Sequence, residues 1–335
     1  MENHSYTNVR LVLGEPDVET RRTFYAALRE KGFRNVNFAS ELESIRDNVA
    51  SDRADLLVVD THMEGGDLSQ LVRDIRYGKI GSNPFIVIIA LSDHPEDDLK
   101  QQYINAGVDD VLVKPLDGNA FSEHIMLLSQ QRKEFIVTAD YLGPDRRKGA
   151  PRPGKQIIPT IPVPNPLEDI TSGNSLHQMR HAIQDAQHKI AQMQVERGAY
   201  QVISLSEQLL ADYEAGIPHE PLPTIEKLEQ FTSKLEEKLP DSPYIQAKKP
   251  CSLLLDIAHR LKREPETPKD SNLAKLFDLK ELIHDIFVNI NPELFPEKDI
   301  PAPQDDELPP PPEEQPVITQ QELLERLNAL EIGAS

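Results

Sequence analysis

From residue 9 to about 131, short continuous apolar runs alternate with amphipathic stretches of helical length. This alternation constrains the fold more than any other feature of the chain. The runs cover residues 9–13, 36–39, 56–60, 85–91 and 110–113. Leu-Leu-Val-Val and Phe-Ile-Val-Ile-Ile-Ala show no polar alternation, as expected of central parallel strands covered on both faces. Between the runs lie segments such as residues 18–30, with Phe24, Tyr25 and Leu28 on one helical face. Five strands alternating with five helices predict an α/β domain with a doubly wound parallel sheet over residues 1–134.

The composition then changes. Residues 143–166 hold seven prolines and the basic cluster Arg146, Arg147, Lys148, Arg152 and Lys155, so residues 135–168 are expected to form an extended, basic linker. Residues 169–291 read as helical. Leu176, Met179, Ile183, Ala186, Ile190 and Met193 repeat at three-then-four spacing. Gly198 is expected to interrupt that helix, and Pro250 to kink a later one or mark its start. Residues 271–290 have a wide apolar face that includes Leu276, Phe277, Leu279, Ile283, Ile286 and Phe287. A four- or five-helix bundle is the economical reading, with a coiled-coil homodimer through residues 176–193 as the alternative. Residues 292–317 are acidic and proline-rich and are expected to be disordered; residues 318–335 are expected to form a short amphipathic helix.

Charge and composition remove several function classes. A net charge of −20 disfavours nucleic acid and anionic membrane surfaces as partners. No apolar run reaches transmembrane length, the N-terminus lacks the apolar core of a signal peptide, and the single Cys251 allows no internal disulfide. A cytoplasmic protein is expected.

In a doubly wound sheet, chemistry sits at the carboxyl ends of the strands. Those ends carry Glu15 and Asp17 after the first strand, Asp60 closing the third, Ser92 after the fourth and Lys114 closing the fifth. Phosphoryl transfer to protein needs these types: a carboxylate that attacks phosphorus, further carboxylates for a hard divalent cation, a lysine for a phosphoryl oxygen and a hydroxyl for another.

These residues resemble the response-regulator receiver family. LLVVDTHM resembles its third strand with the phosphoacceptor at Asp60, and NAGVDDVLVKP its Ala-Gly turn, fifth strand and Lys114-Pro115 pair. The interval from Ser92 to Lys114 matches that between the family's switch hydroxyl and its lysine. The resemblance covers residues 9 to about 131 and implies a flavodoxin-like fold. It further implies Asp60 as phosphoacceptor assisted by Lys114 and Ser92. Magnesium would be held by Glu15, Asp17, Asp60 and the backbone carbonyl of His62. The donor would be a histidine kinase or phosphotransfer protein, and the prolyl bond at Pro115 would be cis. Such a chain is a signalling phosphoprotein that assists its own phosphorylation, not a turnover enzyme. Its helical region is expected to act on a protein target.

Three departures stand out. Pro16 splits the usual pair of adjacent acids, Glu64 replaces a customary proline four residues after Asp60, and Val111 replaces the usual aromatic three residues before the lysine. In the helical half, FIVTADYLGPDRRK resembles an extension of some alphaproteobacterial receivers, and IAHRLKRE around His259 resembles the phosphotransfer pattern AHxLKG. Arg263 stands there in place of the glycine. The rival readings are a relay passing the group to His259 and a scaffold independent of phosphorylation.

Overall fold

The computed structural model describes residues 6–93, 97–138, 140–147, 160–216 and 221–294, together with residues 325, 326 and 329. It divides into two compact units, Met1–Ile190 and Ala191–Ser335.

The first unit carries the predicted sheet. Strands β1 (Arg10–Gly14), β2 (Asn35–Ala39), β3 (Leu56–Asp60), β4 (Val87–Ser92) and β5 (Asp110–Val113) pair in parallel in the order β2-β1-β3-β4-β5. They alternate with α1 (Val18–Glu30), α2 (Leu42–Ala50), α3 (Leu68–Arg76), α4 (Asp97–Ala106) and α5 (Gly118–Gln130). The continuous apolar runs follow from two cores. Val12, Leu57, Val59, Ile88 and Ala90 pack on one face with residues of α2, α3 and α4. Leu11, Leu13, Val58, Ile89 and Leu91 pack on the other with Phe24, Phe121 and Ile125. Fully burying each aliphatic side chain contributes about 1.5–3 kcal/mol, so a polar residue at any of these positions would be costly. Asp60 pairs with Leu91 and Ser92 with Val113, which brings the reactive strand ends level.

The proline-rich stretch departs from the expected linker. Strands β6 (Phe135–Val137), β7 (Leu142–Pro144) and β8 (Thr160–Ile161) form an antiparallel sheet in the order β7-β6-β8. The Phe135 ring is fully buried, edge-on to Phe85 and within 5.3 Å of the guanidinium carbons of both Arg76 and Arg132. Arg146, expected in solvent, donates to the carbonyl of Val108 at 3.0 Å and to that of Asp109. Helix α6 (Pro166–Thr171) is capped by Asn165 and begins on Pro166, as helices favour; its Leu167 is buried in the core beside α1 and α5. The first domain therefore extends past residue 134, because apolar and cationic side chains of the stretch find partners that composition cannot reveal.

Gly198 does not interrupt the next helix. Helix α7 (Leu176–Glu214) runs through it, and a Cβ there would make only ordinary contact with the Leu235 side chain, at 3.4 Å. The unit boundary falls inside α7. Before it, Met179, Ala186 and Ile190 are buried while Leu176 is 69% exposed. After it, α7 packs with α8 (Leu222–Lys238), α9 (Lys248–Arg263) and α10 (Asp270–Ile290) around Val202, Leu209, Leu228, Leu254, Ile283 and Phe287, a four-helix arrangement. Pro250 lies in the first turn of α9, where its missing N–H costs nothing. Phe277, expected to be buried, is half exposed.

Most of the predicted disordered segment 292–317 and C-terminal helix 318–335 lies outside the described residues. Residues 325, 326 and 329 are helical, and Arg326 pairs with Asp285 of α10 at 2.7 Å. Among the described residues no helix is long and apolar enough to cross a membrane.

Candidate functional site

Asp60 ends β3 fully buried, and Lys114 reaches it from the end of β5. The Lys114 Nζ lies 2.5 Å from Asp60 Oδ2, 3.3 Å from Glu15 Oε2 and 3.1 Å from Asp93 Oδ1. Burial penalises the ammonium, but the hydrogen bonds to Asp60 and Asp93 outweigh it and the Lys114 pKa rises. The lysine is therefore a fixed cation at neutral pH. The Lys114–Pro115 bond is cis, as the resemblance implies.

Glu15 follows β1 and is buried. Its Oε1 accepts from the backbone N–H of Asp17 at 2.9 Å while Oε2 faces Lys114. Burial pushes its carboxyl above the ordinary value, and the nearby Asp60 charge acts in the same sense. Asp17 is used differently. It is the N-cap of α1, its Oδ1 accepting from Thr20 N–H at 2.7 Å, and Thr20, through its side chain and then its backbone, holds the Asp17 carboxyl below the ordinary value. Asp17 lines an open cleft with Thr20, Asp93, Lys114 and Pro115. Pro16 thus leaves one buried acid and one capping acid where two adjacent acids would otherwise stand.

Ser92 is buried at the end of β4, and its carbonyl accepts from Lys114 N–H at 2.8 Å. Glu64 lies exposed, its carbonyl accepting from Leu42 N–H. Val111 is buried, as the absence of an aromatic at that position allows. His259 is half exposed on α9, and Glu229 takes both its imidazole and the Lys262 ammonium at 3.0 Å.

Three features escaped the sequence reading. Asp93, directly after Ser92, joins the cluster; a carboxylate just beyond a strand end was the available signal. The His62 imidazole stands beside Asp60, held there by a bond from its own backbone N–H to Asp60 Oδ1 at 2.6 Å. Tyr103 of α4 is buried with Thr61 near its hydroxyl; a lone tyrosine on a helix carries no sequence signal for this.

The arrangement is a buried carboxylate with one oxygen on a lysine, a second buried acid nearby and a hydroxyl residue on the adjacent strand. Two hard-oxygen donors, Glu15 and Asp60, suit a small divalent cation.

No curated protein matches the sequence. Among solved structures, the receiver domain of sensor histidine kinase PA1611 from Pseudomonas aeruginosa PAO1, described with a magnesium ion coordinated in its active site cleft, is 24% identical. It covers 35% of this chain and 93% of its own, with a TM-score of 0.31. The signal receiver domain of the response regulator merR from Colwellia psychrerythraea 34H is 19% identical, with coverage of 37% and 100% and a TM-score of 0.34. That of the putative response regulator NarL from Mycobacterium tuberculosis is 20% identical, with coverage of 37% and 98% and a TM-score of 0.34. Residues 13–126 match the family profile described as "Response regulator receiver domain". With the β2-β1-β3-β4-β5 sheet and Asp60, Ser92 and Lys114 at its strand ends, residues 13–126 form a response regulator receiver domain.

Proposed function

We propose that the protein is a cytoplasmic response regulator that accepts a phosphoryl group on Asp60 from a histidine kinase or phosphotransfer protein, and that its helical region signals by binding a protein target. The contact between Lys114 Nζ and Asp60 Oδ2, with Glu15 on the same ammonium, carries this reading. An Asp60 oxygen attacks phosphorus, the bond from phosphorus to the donor nitrogen breaks, and the electron pair leaves with the imidazole. Lys114 exchanges its carboxylate contact for a phosphoryl oxygen, and Ser92 bonds another. Glu15, Asp60 and the His62 carbonyl are the residues that would hold magnesium, which supplies charge neutralisation for the crowded oxygens. The chain promotes its own modification and turns over no substrate.

The test is mass-spectrometric detection of a hydroxylamine-sensitive +80 Da adduct (one phosphoryl group in place of a proton) with acetyl phosphate and magnesium. Wild type is expected to label and Asp60→Asn to remain unlabelled; equal labelling of the variant overturns the assignment.

A second reading, onward transfer to His259, is favoured by that histidine's exposure beside Lys262 on a four-helix unit. It predicts a base-stable adduct in the full chain that disappears in His259→Ala. Only base-labile label in both proteins rejects it.

A further inference from the structure

Each of two carboxylates at the site divides its oxygens between the same two neighbours. Asp60 gives Oδ2 to Lys114 and Oδ1 to the His62 side, and Asp93 gives Oδ1 to Lys114 and Oδ2 to His62. The His62 Nδ1 stands 3.4 Å from Asp60 Oδ1 and 3.5 Å from Asp93 Oδ2. Those separations exceed the roughly 2.7–3.2 Å of good N–H···O hydrogen bonds. They match the distance between neighbouring ligands of a tetrahedral ion, about 3.3 Å for bonds of about 2.0–2.1 Å. The three ligand atoms lie within 4.8 Å of one another, and both His62 and Asp93 are half exposed, so an ion can enter from solvent. Three carboxylates, Glu15, Asp60 and Asp93, face one ammonium, which leaves the pocket anionic.

From this geometry we infer a second cation site, formed by Asp60 Oδ1, His62 Nδ1 and Asp93 Oδ2, selective for an imidazole-binding divalent ion of the zinc class. It differs from the magnesium set in its ligands: an imidazole and Asp93 replace Glu15 and the His62 carbonyl. Mixed nitrogen and carboxylate ligation suits zinc and is poor for magnesium, which prefers oxygen and water. The site also has a chemical consequence, which rests on the proposed role of Asp60. An ion on Oδ1 occupies the Asp60 oxygen that Lys114, on Oδ2, leaves to magnesium. Zinc at this site therefore displaces magnesium from Asp60 and blocks phosphoryl acceptance.

The experiment uses the full-length chain. Isothermal titration with zinc and cobalt(II) visible absorption, each with magnesium present, report binding without reference to phosphorylation. Wild type is expected to bind one zinc ion at this site and to develop the intense cobalt bands of a four-coordinate centre. His62→Ala and Asp93→Asn are each expected to weaken zinc by at least about tenfold, since losing an inner ligand costs no less than losing an outer-shell partner. Circular dichroism establishes that both variants fold; their half-exposed side chains make that the expected result. Zinc affinity unchanged in both variants overturns the site and assigns the ion to other histidines. In acetyl phosphate labelling, the ratio of adduct without zinc to adduct with zinc is expected to be at least about tenfold in wild type and close to one in His62→Ala. Failure of wild type to label with magnesium alone rejects the phosphoacceptor reading and leaves the metal titration standing. Labelling unaffected by bound zinc overturns the blocking role.

Discussion

A Cβ atom on Gly143 would stand 2.8 Å from the Cα of Gly107, so the strand after the receiver and the turn before β5 touch backbone to backbone. Gly107 itself has φ of +102°, and a Cβ there would lie 2.8 Å from the Leu142 carbonyl oxygen. The Tyr141 hydroxyl would also lie 2.7 Å from the Gly143 Cβ, but the Gly107 Cα and the Leu142 oxygen are backbone atoms that cannot swing away. Gly143→Ala is therefore expected to destabilise the first unit by about 1–3 kcal/mol, as overpacking does, measured by urea denaturation. Stability equal to wild type would show that the two backbones are not in contact in solution.

Asp109 lies at the centre of the same junction. It is buried with Arg76 at 2.8 Å and Arg132 at 2.9 Å. Burial alone would push its carboxyl up, but the two guanidinium groups reverse this and hold it below the ordinary value of 3.8. A depressed carboxyl contributes stability that is present above its unfolded pKa and is lost as pH falls through the folded one. Asp109→Asn is expected to cost about 3–5 kcal/mol at neutral pH, because it leaves two buried cations without their anion. It should also flatten the acid limb of a stability–pH curve below the ordinary carboxylate range. An unchanged acid limb would show that other carboxylates set it.

Glu15 has the opposite sign. Its raised pKa means that the folded state disfavours the charged carboxylate, so its contribution falls as pH rises through 4.5 toward the folded value. Glu15→Gln is expected to raise the melting temperature at pH 7 while weakening magnesium by at least about tenfold. Lys114 keeps Asp60 and Asp93 as partners in that variant. Calorimetry and magnesium titration read the two effects separately, and a variant that melts earlier contradicts the sign.

The parallel sheet and its reactive edge were legible in the sequence for a local reason, while the strand order came from the structure. Strands buried on both faces need uninterrupted apolar runs, and the strand ends put Asp60, Ser92 and Lys114 where the runs stop. The helical stripes were legible in the same way, although Gly198 misled because a glycine inside a packed helix looks the same as one that ends a helix. Phe277 misled because an apolar stripe does not state how wide its partner is. Everything that depends on distant side chains meeting was left to the tertiary structure. Composition marked residues 135–168 as a linker, yet Phe135, Arg132 and Arg146 hold the described residues at its start beside β5 through Arg76 and Asp109. Asp17 became a helix cap, and His62 and Asp93 became neighbours of the nucleophile, through loop geometry that no spacing encodes. Periodicity, a property of neighbours along the chain, set the elements; the ion pairs and the second cation site are properties of neighbours in space.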